Sequence, residues 1–252
     1  MSPPFRIVLA CALLLALVSG ARAERLLPFR PGERLVYSLR WGPIPAGRAV
    51  LEVLPMETIL GTQRRHFRMH AKTNAFVDIF YKVRDQVDAY TDQDLTYSVL
   101  YRKKQREGSY KRDITVTFNQ KALTARYENI INGPKKPIKI SPGTFDPLSV
   151  FYSFRLMELY ENATLTSPVT DGTKFVMGEA RVVGKERITV PAGEFETFLV
   201  EPDLRHLGGV FKKSKNAKLK IWVTADKRRI PVKIKSKVAV GHFNAVLVES
   251  RL

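Results

Sequence analysis

The chain has 252 residues, a formal net charge of +18 and a single cysteine, Cys11. One cysteine excludes an internal disulfide framework, so stability has to come from a packed core. The charge would suit nucleic acid in a cytosolic protein, but the N-terminus argues for export and removes that partner.

Met1 to Ala23 combines a basic start at Arg6, an apolar run from Ile7 to Val18 and Ala21-Arg22-Ala23, the pattern of a cleavable secretory signal peptide. Twelve apolar residues are too few to span a bilayer, and no later segment is long enough to try. Cys11 lies inside the apolar run, where processing as a lipoprotein would leave Ala12 to Val18 as an exposed tail, so that reading is set aside. Removal of residues 1–23 takes away Arg6 and Arg22 and leaves a cysteine-free chain of charge +16. Residues 24–252 show no Gly/Ser/Pro-rich linker and no internal repeat, which favours a single periplasmic domain.

Arg34 to Trp41 alternates, with Leu35, Tyr37 and Leu39 on one face. Gly42-Pro-Ile-Pro-Ala46 reads as a stiff loop before a strand from Gly47 to Leu54. Arg64 to Thr73 alternates again, Phe67, Met69 and Ala71 inward, His66, Arg68, His70 and Lys72 outward. His66 and His70 would stand about 13 Å apart on a strand, too far to share a metal ion through imidazoles alone. Asn74 to Val83 fits either a short helix or a strand. Asp85, Asp88, Asp92 and Asp94 lack the spacing of a calcium loop and read as turn and strand-surface residues.

A plain meander follows: Tyr97 to Tyr101, Tyr110 to Phe118 and Ala122 to Tyr127, divided by turns. After a basic connection, Asp146-Pro147 offers a helix cap, and Leu148, Phe151, Tyr152, Leu156 and Leu159 recur at helical spacing. The spacing predicts one principal helix, Pro147 to Tyr160. Phe154 and Met157 widen its apolar surface, so it should lie against or inside the concave face of a sheet, and the five spaced residues are candidates to face a ligand.

Lys174 to Val183, Glu186 to Val190 and Glu196 to Glu201 continue the strands. Leu219 to Thr224 and Ile230 to Val238 flank the turn Ala225-Asp-Lys-Arg228, a hairpin signature. Its second strand places Val232, Ile234 and Val238 on one face and Lys233, Lys235 and Lys237 on the other. Between Arg205 and Lys237 the chain has 12 Lys or Arg against one acid, Asp226. Lys212, Lys213, Lys215, Lys233, Lys235 and Lys237 are therefore candidate contacts with anionic membrane surfaces or acidic envelope polymers, unless they merely solvate strand faces. Gly241 to Ser250 supplies the last strand.

Several phrases together resemble the bacterial family known as domain of unknown function 3108. They are Pro31-Gly-Glu33, Tyr37-x-x-x-Trp41-Gly-Pro-Ile-Pro-Ala-Gly47, Phe145-Asp-Pro-Leu-Ser149 with Phe154-Arg155, Val190-Pro-Ala-Gly-Glu-Phe195, and Ile221-Trp-Val-Thr-Ala-Asp226 with Arg229-Ile-Pro-Val232. That family has no assigned activity. The hairpin from Ile221 is also similar to the last one of periplasmic lipoprotein-carrier proteins, a resemblance that implies a curved, incomplete barrel with helices over an apolar concave face.

The expected fold is mainly β, an antiparallel meander of roughly ten to fourteen strands forming a curved sheet or half-barrel with one principal helix. No Ser/His/Asp, Cys/His, metal or paired-carboxylate arrangement supports an enzyme, and no cofactor motif is found. Two readings stay open. One is a binding protein that holds an acyl chain or lipidated partner on its concave face. The other is an envelope scaffold that binds proteins through sheet edges and basic loops. A cavity of several hundred Å³ favours the first, a filled interior the second.

Overall fold

The computed structural model describes residues 27–204, 217–238 and 241–252, which leaves the expected signal peptide at 1–23, His206, Lys212, Lys213 and Lys215 outside the described residues. One antiparallel sheet dominates. Its first half comprises β1 (Arg34–Trp41), β2 (Ile44–Ile59), β3 (Thr62–Thr73), β4 (Arg84–Thr91), β5 (Ser98–Glu107), β6 (Tyr110–Asn119) and β7 (Thr124–Asn129), with two short strands against β7, β8 (Gly133–Pro134) and β9 (Ile138–Lys139). Its second half comprises β10 (Thr164–Thr170), β11 (Phe175–Val190), β12 (Gly193–Pro202), β13 (Lys218–Thr224), β14 (Pro231–Val238) and β15 (Gly241–Arg251). The halves join where β15 pairs with β1, so the first and last strands meet mid-sheet and β10 and β8 form the edges. The meander is as expected; its 15 strands pass the expected count because of the two-residue β8 and β9.

The sheet curls without closing. Between its edges runs the segment before the principal helix. Thr144 accepts a hydrogen bond from the Ser98 amide at 3.1 Å, and Phe145 exchanges backbone bonds with the β10 segment at Pro168 and Thr170. The β10–β11 turn packs onto β6 and β7, and there only glycine fits. Gly172 has φ +83°, and a Cβ would sit 2.8 Å from a Val116 methyl. Curvature comes also from bulges in the two 16-residue strands, at Leu54/Glu57 in β2 and Val182/Gly184 in β11.

Two expectations need correction. The loop Gly42–Ala46 shrinks to Gly42-Pro43, and Ile44, Pro45 and Ala46 extend β2. Pairing with β3 begins only at Gly47, and where a strand is paired on one side a proline's missing N–H leaves no ladder bond unmade. The principal helix is also shorter than Pro147 to Tyr160. It is α2 (Ser149–Ser153), tightening into a 3-10 turn (Phe154–Leu156) and ending at an extended Met157; the other helix, α1 (Ala75–Asp78), is a single turn capped by Asn74. The Asp146 carboxylate accepts from the amides of Leu148 and Ser149 at 2.8 and 2.9 Å, as a capping residue does. Apolar spacing persists to Leu159, but Leu159 is buried from an extended segment. Two backbones satisfy one spacing.

The larger core cluster includes Leu35, Tyr37, Phe67, Val116, Tyr127, Tyr152, Val232 and Leu247; a second contains Leu159, Leu165, Ala180, Val182, Phe198 and Val200. The α2 segment lies at their seam, giving Leu148 and Tyr152 to the first and Phe154 to the second. At the seam Arg155 forms a bidentate pair with Glu33 at 2.6 and 3.0 Å, both side chains 3% exposed. Its Nε donates to the Arg228 carbonyl at 3.0 Å, and the guanidinium lies 5.0 Å from the Phe29 ring.

On the outer face of β3, His66 points outward as alternation requires, yet it is buried. It stacks on Tyr90 at 4.3 Å, and its ring nitrogens face Asp88 at 2.7 Å and Glu57 at 3.3 Å. His70 faces Glu52 at 3.7 Å, so the two histidines have separate acidic partners. Burial opposes ionisation of Asp88, but hydrogen bonds from His66, Gln86 and Arg68 outweigh it and hold the carboxyl well below its ordinary range.

Two consequences can be measured. Arg155→Met strands a buried carboxylate and should cost about 3–5 kcal/mol in urea unfolding, whereas Glu33→Met with Arg155→Met should recover much of that loss. Because the native pKa of Asp88 is depressed, its contribution is present above the unfolded value near 4 and lost as pH falls through the native one. Asp88→Asn should therefore lower Tm at neutral pH and flatten its decline below about pH 4, read by thermal melts across pH.

Candidate functional site

A cavity of about 370 Å³ lies between the α2 segment and strands β10 to β13, within the size range of small-molecule sites. The helix side supplies Val150, Phe151, Phe154 and Leu159; the sheet supplies Leu165 from β10, Val176 and Ala180 from β11, Val200 from β12 and Leu219, Ile221 and Val223 from β13. Small residues make the space. Gly178 and Ala180 share the inward face of β11, and a Cβ on Gly178 would approach a Val169 methyl at 3.4 Å.

A few polar groups interrupt the lining. Arg155 and Arg229 stand at the inner end, and both are engaged elsewhere. Arg155 is committed to Glu33, while Arg229 donates to the carbonyls of Ala225 and Asp226 at 2.6 and 2.9 Å and lies 5.5 Å from the Phe198 ring. Asp171 and Lys174 are exposed at the β10–β11 turn, and Glu179 is exposed farther along β11, where its carbonyl accepts from the Asp203 amide at 2.8 Å. The walls between are apolar, a surface suited to hydrocarbon.

Of the five spaced helix residues, the structure brings Phe151 and Leu159 to the cavity wall. Tyr152 is in the larger core, stacked on Phe67 at 4.1 Å and edge-on to Phe29 at 5.3 Å; Leu148 is buried beside it, and Leu156 is half-buried against the same core. Sequence reasoning missed Val150 as a wall residue and treated Phe154 only as added apolar surface. The signal was available, since Pro147, Val150, Phe151 and Phe154 follow i, i+3, i+4, i+7.

Lys235 and Lys237 are exposed on β14, and Lys233 lies half-buried with its Nζ 5.0 Å from the Trp222 ring. The register adds two residues that inspection of β14 alone omits. Lys218 is directly opposite Lys237, and Lys220 opposite Lys235. Like charges placed so are destabilising, an effect that Glu201 offsets at Lys220, 3.0 Å away. Among the described residues, no group of three or more His, Cys, Asp or Glu is placed to hold a metal ion, and no helix is long and apolar enough to cross a membrane.

The phrases that carry the family resemblance converge in space. Glu33 meets Arg155, and the Tyr37 hydroxyl donates to the Pro231 carbonyl at 2.7 Å. Comparison with known proteins agrees. The β-barrel-like protein of domain of unknown function DUF1849 from Brucella abortus superposes with a TM-score of 0.54 at 9% identity, over 87% of this chain and 97% of that one. A candidate exported protein with a YmcC-like fold from Bacteroides fragilis gives 0.38 at 9% identity over 90% and 98% of the two chains, and a candidate lipoprotein from Parabacteroides distasonis 0.35 at 11% over 89% and 97%. The first shows a shared fold; the other two superpose too loosely to bear on it. No curated protein matches the chain. The model of the family described as protein of unknown function (DUF3108) matches residues 36–248, from β1 to β15, and the chain belongs to that family.

Proposed function

We propose that this is an exported, non-catalytic binding protein of the periplasm whose cavity takes an acyl chain, free or as part of a lipidated partner, while the β13–β14 lysines meet an anionic envelope surface. The observation that carries the reading is the cavity, about 370 Å³ with aliphatic and aromatic walls. Burial of a hydrocarbon chain there gains about 0.8 kcal/mol per methylene. Export is supported by the leader pattern at Met1 to Ala23, and the anionic surface by the opposed lysine pairs, whose mutual repulsion such a surface would relieve.

The test begins with protein purified under mild conditions from the envelope, extracted into organic solvent and examined by mass spectrometry. Wild type should release acyl lipid. Ala180→Phe, which fills the cavity, should release none and should no longer bind cis-parinaric acid, with its circular dichroism and melting temperature checked in parallel. Crosslinked protein partners without lipid would instead favour the envelope scaffold. The electrostatic half is tested separately: exchanging Lys233, Lys235 and Lys237 for Gln should reduce binding to phosphatidylglycerol vesicles tenfold or more, and wild-type binding should fade with salt.

A further inference from the structure

Strand parity sends every second connection to the same end of an antiparallel meander. One end therefore carries the β1–β2, β5–β6, β7–β8 and β10–β11 turns, the α1 connection between β3 and β4, and the start of β15. Of the sixteen large hydrophobic side chains exposed among the described residues, twelve lie at this end or on the strand ends beside it. The opposite end has Leu60, Tyr160 and Leu252. Such a bias is not the scatter of single apolar residues that any surface shows.

The connections are tied into a continuous rim. The Gly42 amide donates to the His242 carbonyl at 2.8 Å, and Trp41 stacks on Phe243 at 6.4 Å. Asn74 reaches from the start of α1 to the carbonyls of Ala46 and Pro45 at 3.0 and 2.7 Å. The Gly108 amide donates to the Lys82 carbonyl at 2.8 Å, which holds the far end of the α1 connection against the β5–β6 turn. On this rim Phe76 is 58% exposed and Ile79 and Phe80 are each 75% exposed. Lys72, Lys82 and Lys111 are exposed at the same strand ends and Asp78 and Asp113 pair with Arg84 and Arg106, while Asp85, Glu107, Glu128 and Asp171 also lie at this end. The opposed pair Lys218 and Lys237 continues the positive surface past His242.

We infer that this rim is a membrane-docking surface, in which Trp41, Phe76, Ile79, Phe80 and Phe243 enter the interfacial layer of an anionic bilayer while the flanking lysines hold its headgroups. Aromatic and aliphatic side chains ringed by lysine are the composition of interfacial anchors. A second copy of the chain fits less well, because it would bring one cationic rim against another. The inference rests on the reading that the β13–β14 lysines meet an anionic surface, and adds the orientation and the apolar contact.

Phe76→Ser/Ile79→Ser/Phe80→Ser alters three exposed side chains and should leave the melting temperature unchanged. Flotation with vesicles of phosphatidylcholine alone, or with about a third phosphatidylglycerol, measures partition. The triple variant should bind anionic vesicles at least tenfold more weakly than wild type. In a Trp222→Phe background, brominated lipid should quench Trp41 emission. Ala180→Phe should bind vesicles like wild type, which separates failure of the cavity reading from failure of this one. Equal binding by the triple variant, or unquenched Trp41 on bound protein, would overturn the rim and leave lysine contact alone. Absence of any vesicle binding would overturn both, and self-association abolished by the triple variant without vesicle binding would assign the rim to a second copy.

Discussion

The Glu33–Arg155 pair is the constraint on which the architecture turns. Neither group could be buried alone, since an isolated charge at 3% exposure carries a desolvation penalty of several kcal/mol. Together they satisfy each other, and Arg155 has further donors left for the Arg228 and Pro28 carbonyls. Three segments distant in sequence are thereby fixed at one point: the lead into β1, the end of the helix and the β13–β14 turn. Two well-packed apolar side chains could match the pair in net stability. What apolar residues would not supply is a single bidentate geometry, and hence one position for the helix.

That position matters because the sheet does not close on itself. Residues 141–156 cross its inner side, held at one end by the backbone bonds of Thr144 to β5 and of Phe145 to the β10 edge, and at the other by Arg155. The spanning segment gives one side to the larger core, through Leu148 and Tyr152, and the other to the cavity, through Val150, Phe151 and Phe154. Opposite it, Gly178 and Ala180 are too small to fill the gap. The space is thus a consequence of a roof held by charge and a floor built from small residues, and both are specified by the chain itself.

What could be read from the sequence follows the same division. Alternation located β1, β3 and the β13–β14 hairpin because a strand's two faces differ in polarity whatever lies beyond it. The family phrases pointed to residues that proved to touch, Glu33 with Arg155 and Tyr37 with Pro231. Helical spacing marked a buried segment but could not tell which buried side faced a cavity and which a core, so Tyr152 was grouped with Phe151. Nor could it see that the turn tightens at Phe154 to Leu156, where Arg155 meets its partner. His66 was placed on the outer face correctly, but its burial depends on Tyr90, Asp88 and Glu57, all at least nine residues away in sequence. Lys218 and Lys220 joined the cationic surface only once the register was known. Pair contacts, rather than single-residue preferences, were the illegible part.

The cavity and the rim are related by the same parity that gathers the turns. The exposed groups at the outer end of the cavity, Asp171 and Lys174, belong to the β10–β11 turn, which parity directs toward the rim side and which packs onto β6 and β7. An acyl chain leaving a bilayer for a cavity that opens elsewhere must cross water, at about 0.8 kcal/mol per methylene exposed. For a chain of a dozen methylenes the barrier would approach 10 kcal/mol. If the rim meets a bilayer as proposed, a cavity mouth on that side would reduce that exposure. Opposed lysines and exposed aromatics, each unfavourable in a free protein, would become favourable together in that one orientation.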